Sequence, residues 1–176
     1  MLFSDRSIWT MIHGIVLGGG ALMALFAALF SLYAMRPAAS GDAAHEQGSS
    51  LARLTVLIAV LLWLTVLVGT YISFPPYRAV PPEGTTDLSQ YPRYLIDSNP
   101  ENAWLHSFAM ECKEHVPWIA AMLATPVAFI SVRYRSKLLS DSDLRKMAAT
   151  LLAICFVLAA FIALLGTFIN KVAPLQ

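Results

Sequence analysis

The residues best able to do chemistry in this 176-residue chain are four histidines, His13, His45, His106 and His115, and the charged stretch Met110-Glu111-Cys112-Lys113-Glu114-His115. Two histidines on different helices can ligate a haem iron axially. His13 would be one such ligand, with His115 or His106 as the other. Glu111 and His115 stand four residues apart, which puts both on one face of a helix. With His13 they could form a two-histidine, one-carboxylate metal set, or a proton pathway. The plain alternative is structural: the carboxylates pair with Lys113, Lys171, Arg78 or Arg93, and the histidines bond to loop carbonyls. No nucleophile triad, phosphate loop or nucleotide fingerprint is present, so no catalytic residue is assigned and the chain is not expected to be an enzyme by itself. The absence of Cys-x-x-Cys-His excludes covalent c-type haem.

These residues must be positioned by membrane helices. The chain is 57% hydrophobic and 13% charged, about half the charge of an ordinary soluble domain. Its net charge of +1 gives no field to steer a nucleic acid. The apolar residues fall into four runs, each near the 20 or so that cross a bilayer. The spans are expected over residues 8–33, 54–74, 103–132 and 147–169, giving one all-α domain, an integral membrane four-helix bundle over residues 1–176. The third span is longer than the bilayer core is thick and should project at its N-terminal end. A signal-peptide reading of the first run, with Ala38-Ala39-Ser40 as the cleavage site, is rejected. The run is too long, and Asp5 offsets Arg6.

Arg36, Arg53, Arg133, Arg135, Lys137, Arg145 and Lys146 flank the first and third loops, against Arg6, Arg78, Arg93, Lys113 and Lys171 on the other side. That excess places the first and third loops in the cytoplasm. Both termini and the second loop then face outward, which in a bacterial inner membrane is the periplasm. The first loop, residues 37–50, reads as a flexible connection. The second, residues 75–102, holds six of the ten prolines together with Tyr77, Tyr91 and Tyr94, and is expected to cap the outer end of the bundle.

Gly14 and Gly18, and the row Gly20, Ala24 and Ala28, let helices approach closely, as do Ala159 and Ala163. Glycine near His13 would equally make room for a flat cofactor. Pro117 and Pro126 should kink the third helix and free the carbonyls of Lys113 and Met122. Cys112 and Cys155 differ in depth by about 18 Å and should not form a disulfide. Met11, Met23, Met110 and Met122 could bind copper but read better as apolar filler.

Counting from the basic residue at each helix's inner end gives depth. His13 is 23 residues from Arg36, Glu111 is 22 and His115 is 18 from Arg133, and Asn170 is 24 from Lys146. With Tyr71, Tyr77 and Lys171 these make a polar belt near the outer edge, and His106 lies further out. His45 is on the opposite side, so one bis-histidine haem is the maximum. At about 100° per residue, Ser107, Glu111, His115, Trp118, Met122 and Thr125 share one face of the third helix, while His106, Met110, Lys113 and Pro117 share nearly the opposite one. His106 and His115 then point away from each other and cannot hold one metal from an unbroken helix.

Trp9-Thr10-Met11-Ile12-His13-Gly14, Gly69-Thr70-Tyr71, Pro76-Tyr77-Arg78-Ala79, Met110 to His115 and Phe168-Ile169-Asn170-Lys171 together resemble a group of uncharacterised four-helix bacterial inner-membrane proteins, over nearly the whole chain. That resemblance implies a bacterial setting and no particular activity. A looser, architectural resemblance is to four-helix membrane cytochromes b. The expected function is a small subunit or partner of a membrane electron-transfer system, holding one haem b near the outer face. The alternatives are a non-redox accessory subunit of a larger membrane complex, or a protein that handles protons or a metal through His13, Glu111 and His115. The expected partners are the bilayer and other membrane subunits or further copies of the chain, with no nucleic acid.

Overall fold

The computed structural model describes residues 4–35 and 42–175, apart from the side chains of residues 43 and 44. Arg36 and the Ala38-Ala39-Ser40 stretch lie outside the described residues. Within them the protein is helical, with no strand. Four helices are long and apolar enough to cross a membrane: Asp5–Ala34, His45–Tyr77, Pro100–Arg133 and Ser142–Val172. Each expected span lies inside one of them, and the helices run further at both ends. The second begins at Asp42, so much of the stretch read as a flexible first loop is its opening turns.

Each helix packs against its neighbours in the chain, and the first also meets the fourth, which closes a four-sided bundle. Between 22% and 39% of each helix's most apolar stretch is buried inside the molecule. The remainder, including Phe26, Phe30, Phe129 and Leu164, faces outward. An apolar surface of that extent needs hydrocarbon around it, which makes this a multi-pass membrane protein.

The core divides in two. The larger cluster, around Leu25, Ile58, Val127 and Leu152, fills the middle of the bundle and the end where Arg133, Arg135 and Arg145 gather, here called the inner end and the opposite one the outer, as names for places in the fold. Ala24 and Ala28 are buried in it, and a methyl group at Gly20 would come within 3.7 Å of Leu61. The Gly20-Ala24-Ala28 row is therefore a true packing seam, where small residues bring backbones together. The smaller cluster, Tyr77, Ile96, Leu105, Ile169 and their neighbours, closes the outer end. Ile96 belongs to a short helix, Pro92–Asp97, within the proline-rich second loop. That helix is begun by a proline, whose missing N–H is no loss in a first turn.

The inner end is tied by specific contacts. Asp141 caps the fourth helix, accepting hydrogen bonds from the N–H groups of Asp143 and Leu144. Arg145 donates to the carbonyls of Leu138 and Leu139, which end the short helix Arg135–Ser140. Arg135 donates to Ser49 and lies so close to Gly48 that a methyl group there would meet it at 2.5 Å. The third helix continues through both Pro117 and Pro126. Near the middle, Trp63 Nε1 donates to Thr125 at 3.1 Å, with the Trp63 ring edge-on to Trp118.

The outer end is built differently. Three of the four long helices widen there into π-helical turns: Ile12–Gly19, Gly69–Ser73 and Leu105–Met110. In such turns the N–H reaches the carbonyl five residues back, one more than in an α-helix, and they recur at functional sites. They also break the uniform 100° count across the top of the third helix. The sequence-based angle between His106 and His115 assumed an unbroken α-helix and does not hold through Leu105–Met110.

A candidate ligand cavity at the outer end of the bundle

Between the two apolar clusters lies a cavity of about 590 Å³, reached by all four long helices. This volume is within the roughly 300–1,000 Å³ of small-molecule sites. Its walls include Ala21, Leu62 and Val66 from the larger cluster, and Tyr77, Met110 and Ile169 from the smaller. The polar groups that face it come largely from the π-helical turns or from just beside them.

His13 stands in the first π segment and lines this cavity. Its ring packs on the second helix at Gly69, where a methyl group would come within 2.7 Å of Cε1. Gly69 therefore admits the imidazole. His13 Nδ1 is buried and has no hydrogen-bond partner, although the main chain of Thr65 lies alongside the ring. Gly14 also lines the cavity, and a side chain there would meet nothing within 4 Å. The two glycine groups of the first helix thus have different roles: Gly20 packs, whereas Gly14 leaves open space beside His13.

Lys113 lies within electrostatic reach of His13. Its ammonium reaches across to the fourth helix at Gly166, where a methyl group would come within 2.8 Å of Nζ. The ion pairs among the described residues are Arg93–Asp97, Glu111–His115 and Lys146–Asp143, and none involves Lys113. Ser73, at the end of the second π segment, adds a buried hydroxyl without a partner. Arg6 and Glu114 are the other charged residues on the walls, so two cations face one carboxylate.

The remaining candidates are arranged as follows. His115 lines the cavity yet is 73% exposed, which puts it at the mouth. Its Nδ1 lies 2.8 Å from the Glu111 carbonyl, so a proton on Nδ1 would leave Nε2 free as an acceptor. Glu111 is 61% exposed, 3.9 Å from that imidazole, and is not on the cavity wall. His106 is not on the wall either, and its Nδ1 meets the Tyr77 hydroxyl at 3.0 Å. The structure therefore brings His13 and His115 to one cavity and leaves His106 and Glu111 outside it. Among the described residues no three His, Cys, Asp or Glu side chains come together as a metal site. Cys112 and Cys155 are free thiols, with Cys155 bonded to the Ala120 carbonyl. Met23 and Met122 face outward, while Met110 is in the outer core.

Sequence reasoning missed Lys113, Ser73 and Gly166. A depth signal for them was present. Lys113 is 20 residues from Arg133, Ser73 is 20 from Arg53 and Gly166 is 20 from Lys146, so all three fall at one level. No protein-family model, curated protein or solved structure matches the chain.

Proposed function

We propose that this chain is a small subunit or partner of a bacterial inner-membrane electron-transfer system, and that it holds one haem b in the outer cavity, with His13 and His115 as the axial pair. The observation that carries the reading is that these two histidines, on different helices, line one cavity whose wall is open at Gly14. The donor set suits the group. The His13 imidazole lies on the cavity wall with Nδ1 buried against Gly69, so Nε2 is the nitrogen that would meet the iron. The Glu111 carbonyl can hold His115 in the tautomer that exposes Nε2, the kind of outer support that orients metal-ligating histidines. Haem would supply one-electron transfer. The protein would bind it, keep water away with the Tyr77–Ile96 cluster, and fix the imidazole of His13 against Gly69.

The test is an optical spectrum of the detergent-purified protein from cells able to supply haem, reduced minus oxidised. Sharp Soret and alpha bands at about one haem per chain, abolished in a folded His13→Ala variant, are expected. A featureless spectrum would exclude this reading, and full pigment in both His13→Ala and His115→Ala would exclude this ligand pair.

One observation favours a second reading, a non-redox accessory subunit. Glu111 and His115 stand side by side, 3.9 Å apart, on the exposed face of the third helix, where a neighbouring membrane subunit or a second copy could meet them. A colourless protein that co-purifies with a partner through that face, and loses it on Glu111→Ala, would support this alternative.

A further inference from the structure

We infer that the Lys113 end of the cavity is a subsite for an anionic oxygen group, a carboxylate or phosphate, carried by a ligand whose apolar body fills the remainder of the cavity.

The argument begins with Lys113 itself. An ammonium within a membrane bundle is costly unless it is paired or hydrated, and such residues face the bundle interior or a cavity. Lys113 is drawn inward to Gly166, whose missing side chain leaves the space that Nζ occupies. Yet it has no ion pair or hydrogen bond among the described residues. The carboxylate of Glu111, two residues away, is turned outward to His115. Thr10, Thr65 and Thr167 on the wall each donate to a carbonyl of their own helix, and none of them is hydrogen-bonded to the ammonium.

Two other wall residues, His13 and Ser73, carry polar atoms without hydrogen-bond partners, Nδ1 and Oγ, but both atoms are buried away from the cavity space, so the anion's partner is Lys113. The space beside Lys113 is largely apolar, and the formal charge of the walls is positive through Arg6 and Lys113 against Glu114. An acceptor-rich anion on an apolar body complements all of these features. Water alone would hydrate the ammonium but would leave the apolar walls without a partner.

This inference shares its cavity with the haem reading but does not depend on it. A haem propionate and the head of an anionic lipid offer the same chemistry. The experiment therefore uses matched pairs that differ only in charge: haemin with its dimethyl ester, oleate with methyl oleate, and phosphatidylglycerol with phosphatidylcholine. Binding to the purified full-length protein is read by native mass spectrometry and by tryptophan fluorescence. The charged member of at least one pair should bind about tenfold more tightly or better, as expected when one partner of a desolvated charge pair is otherwise missing. That preference should collapse in Lys113→Gln and persist in Lys113→Arg. Should Lys113→Gln not fold, Gly166→Ala keeps the charge and occupies its place, and should weaken the same preference.

Preference within the haemin pair assigns the anion to a propionate, and within a lipid pair to a lipid head. Equal affinity for charged and uncharged members in wild type, or an unchanged preference in both Lys113→Gln and Gly166→Ala, overturns the subsite. A haem spectrum with equal binding of the ester would leave the haem reading intact and remove this one. A preference for oleate with no haem spectrum would do the reverse.

Discussion

At the scale of single residues, the outer cavity depends on what three glycines lack. Gly69 admits the His13 ring, Gly166 admits the Lys113 ammonium, and Gly14 borders empty space. The consequences of adding one methyl group therefore differ by position. Gly69→Ala forces the imidazole to move and should lower stability by about 1–3 kcal/mol, the usual range for an overpacked site. Gly14→Ala should change stability by no more than about 0.5 kcal/mol, but under the haem reading it should reduce pigment content. Thermal unfolding in detergent measures the first effect and the Soret band per protein measures the second. His13 was legible in the sequence because it interrupts an otherwise apolar span. Lys113 was not, because it sits among Glu111, Glu114 and His115 and reads as one member of a solvated charge cluster. The helical count sets Lys113 on the face opposite Glu111 and His115, but only packing against the fourth helix at Gly166 shows that its ammonium turns inward.

At the scale of the helices, ends and turns are decided locally. Asp141 is fully exposed, and the two backbone N–H groups that it accepts hold its carboxyl below the usual carboxylate range. Because the folded value is depressed, the cap's contribution to stability is complete above the unfolded value of about 4 and is lost as pH falls through the lower folded value. Asp141→Asn keeps the capping oxygen without the titration. Its melting temperature, followed by circular dichroism, should fall less than that of wild type as the pH is brought from 7 to below about 3. Helix existence was legible from run length and hydropathy. The extra turns at the helix ends, as in the second helix from Asp42, were not, because polar residues at a membrane edge look alike in a helix and in a loop. The π-helical turns were equally hidden, since no residue type marks a hydrogen bond that skips one position further.

At the scale of the molecule, the distribution of charge sets a direction. The basic residues Arg53, Arg133, Arg135, Lys137, Arg145 and Lys146 gather at the end where Arg135 and Arg145 tie the helices together, and the cavity lies at the other end. We propose, from the positive-inside rule, that the tied end is cytoplasmic. A Thr85→Cys variant, labelled in intact cells or spheroplasts by a membrane-impermeant maleimide, should therefore react from the periplasmic side. Labelling only after the cytoplasm is opened would reverse the orientation. The overall architecture was legible because lipid imposes long apolar helices, whatever the function. Depth counting put a polar belt at one end of the bundle, but that a cavity opens there was not legible, because it arises where four separate helices fail to meet.

The π-helical turns carry a further consequence, for how the chain can change in length. Each contains one residue more than an α-helical turn needs. Loss of one residue within Ile12–Gly19 can be absorbed by tightening the turn, so the flanking segments keep their facing. The same loss within Gly20–Ala34 would rotate everything on one side by about 100°, turning Phe26 and Phe30 from lipid into the core or carrying Asp5 and Arg6 to a new side. The π-helical part of the cavity wall is thus where the loss of a residue is absorbed, and where the site could be reshaped while the helices around it stay in register.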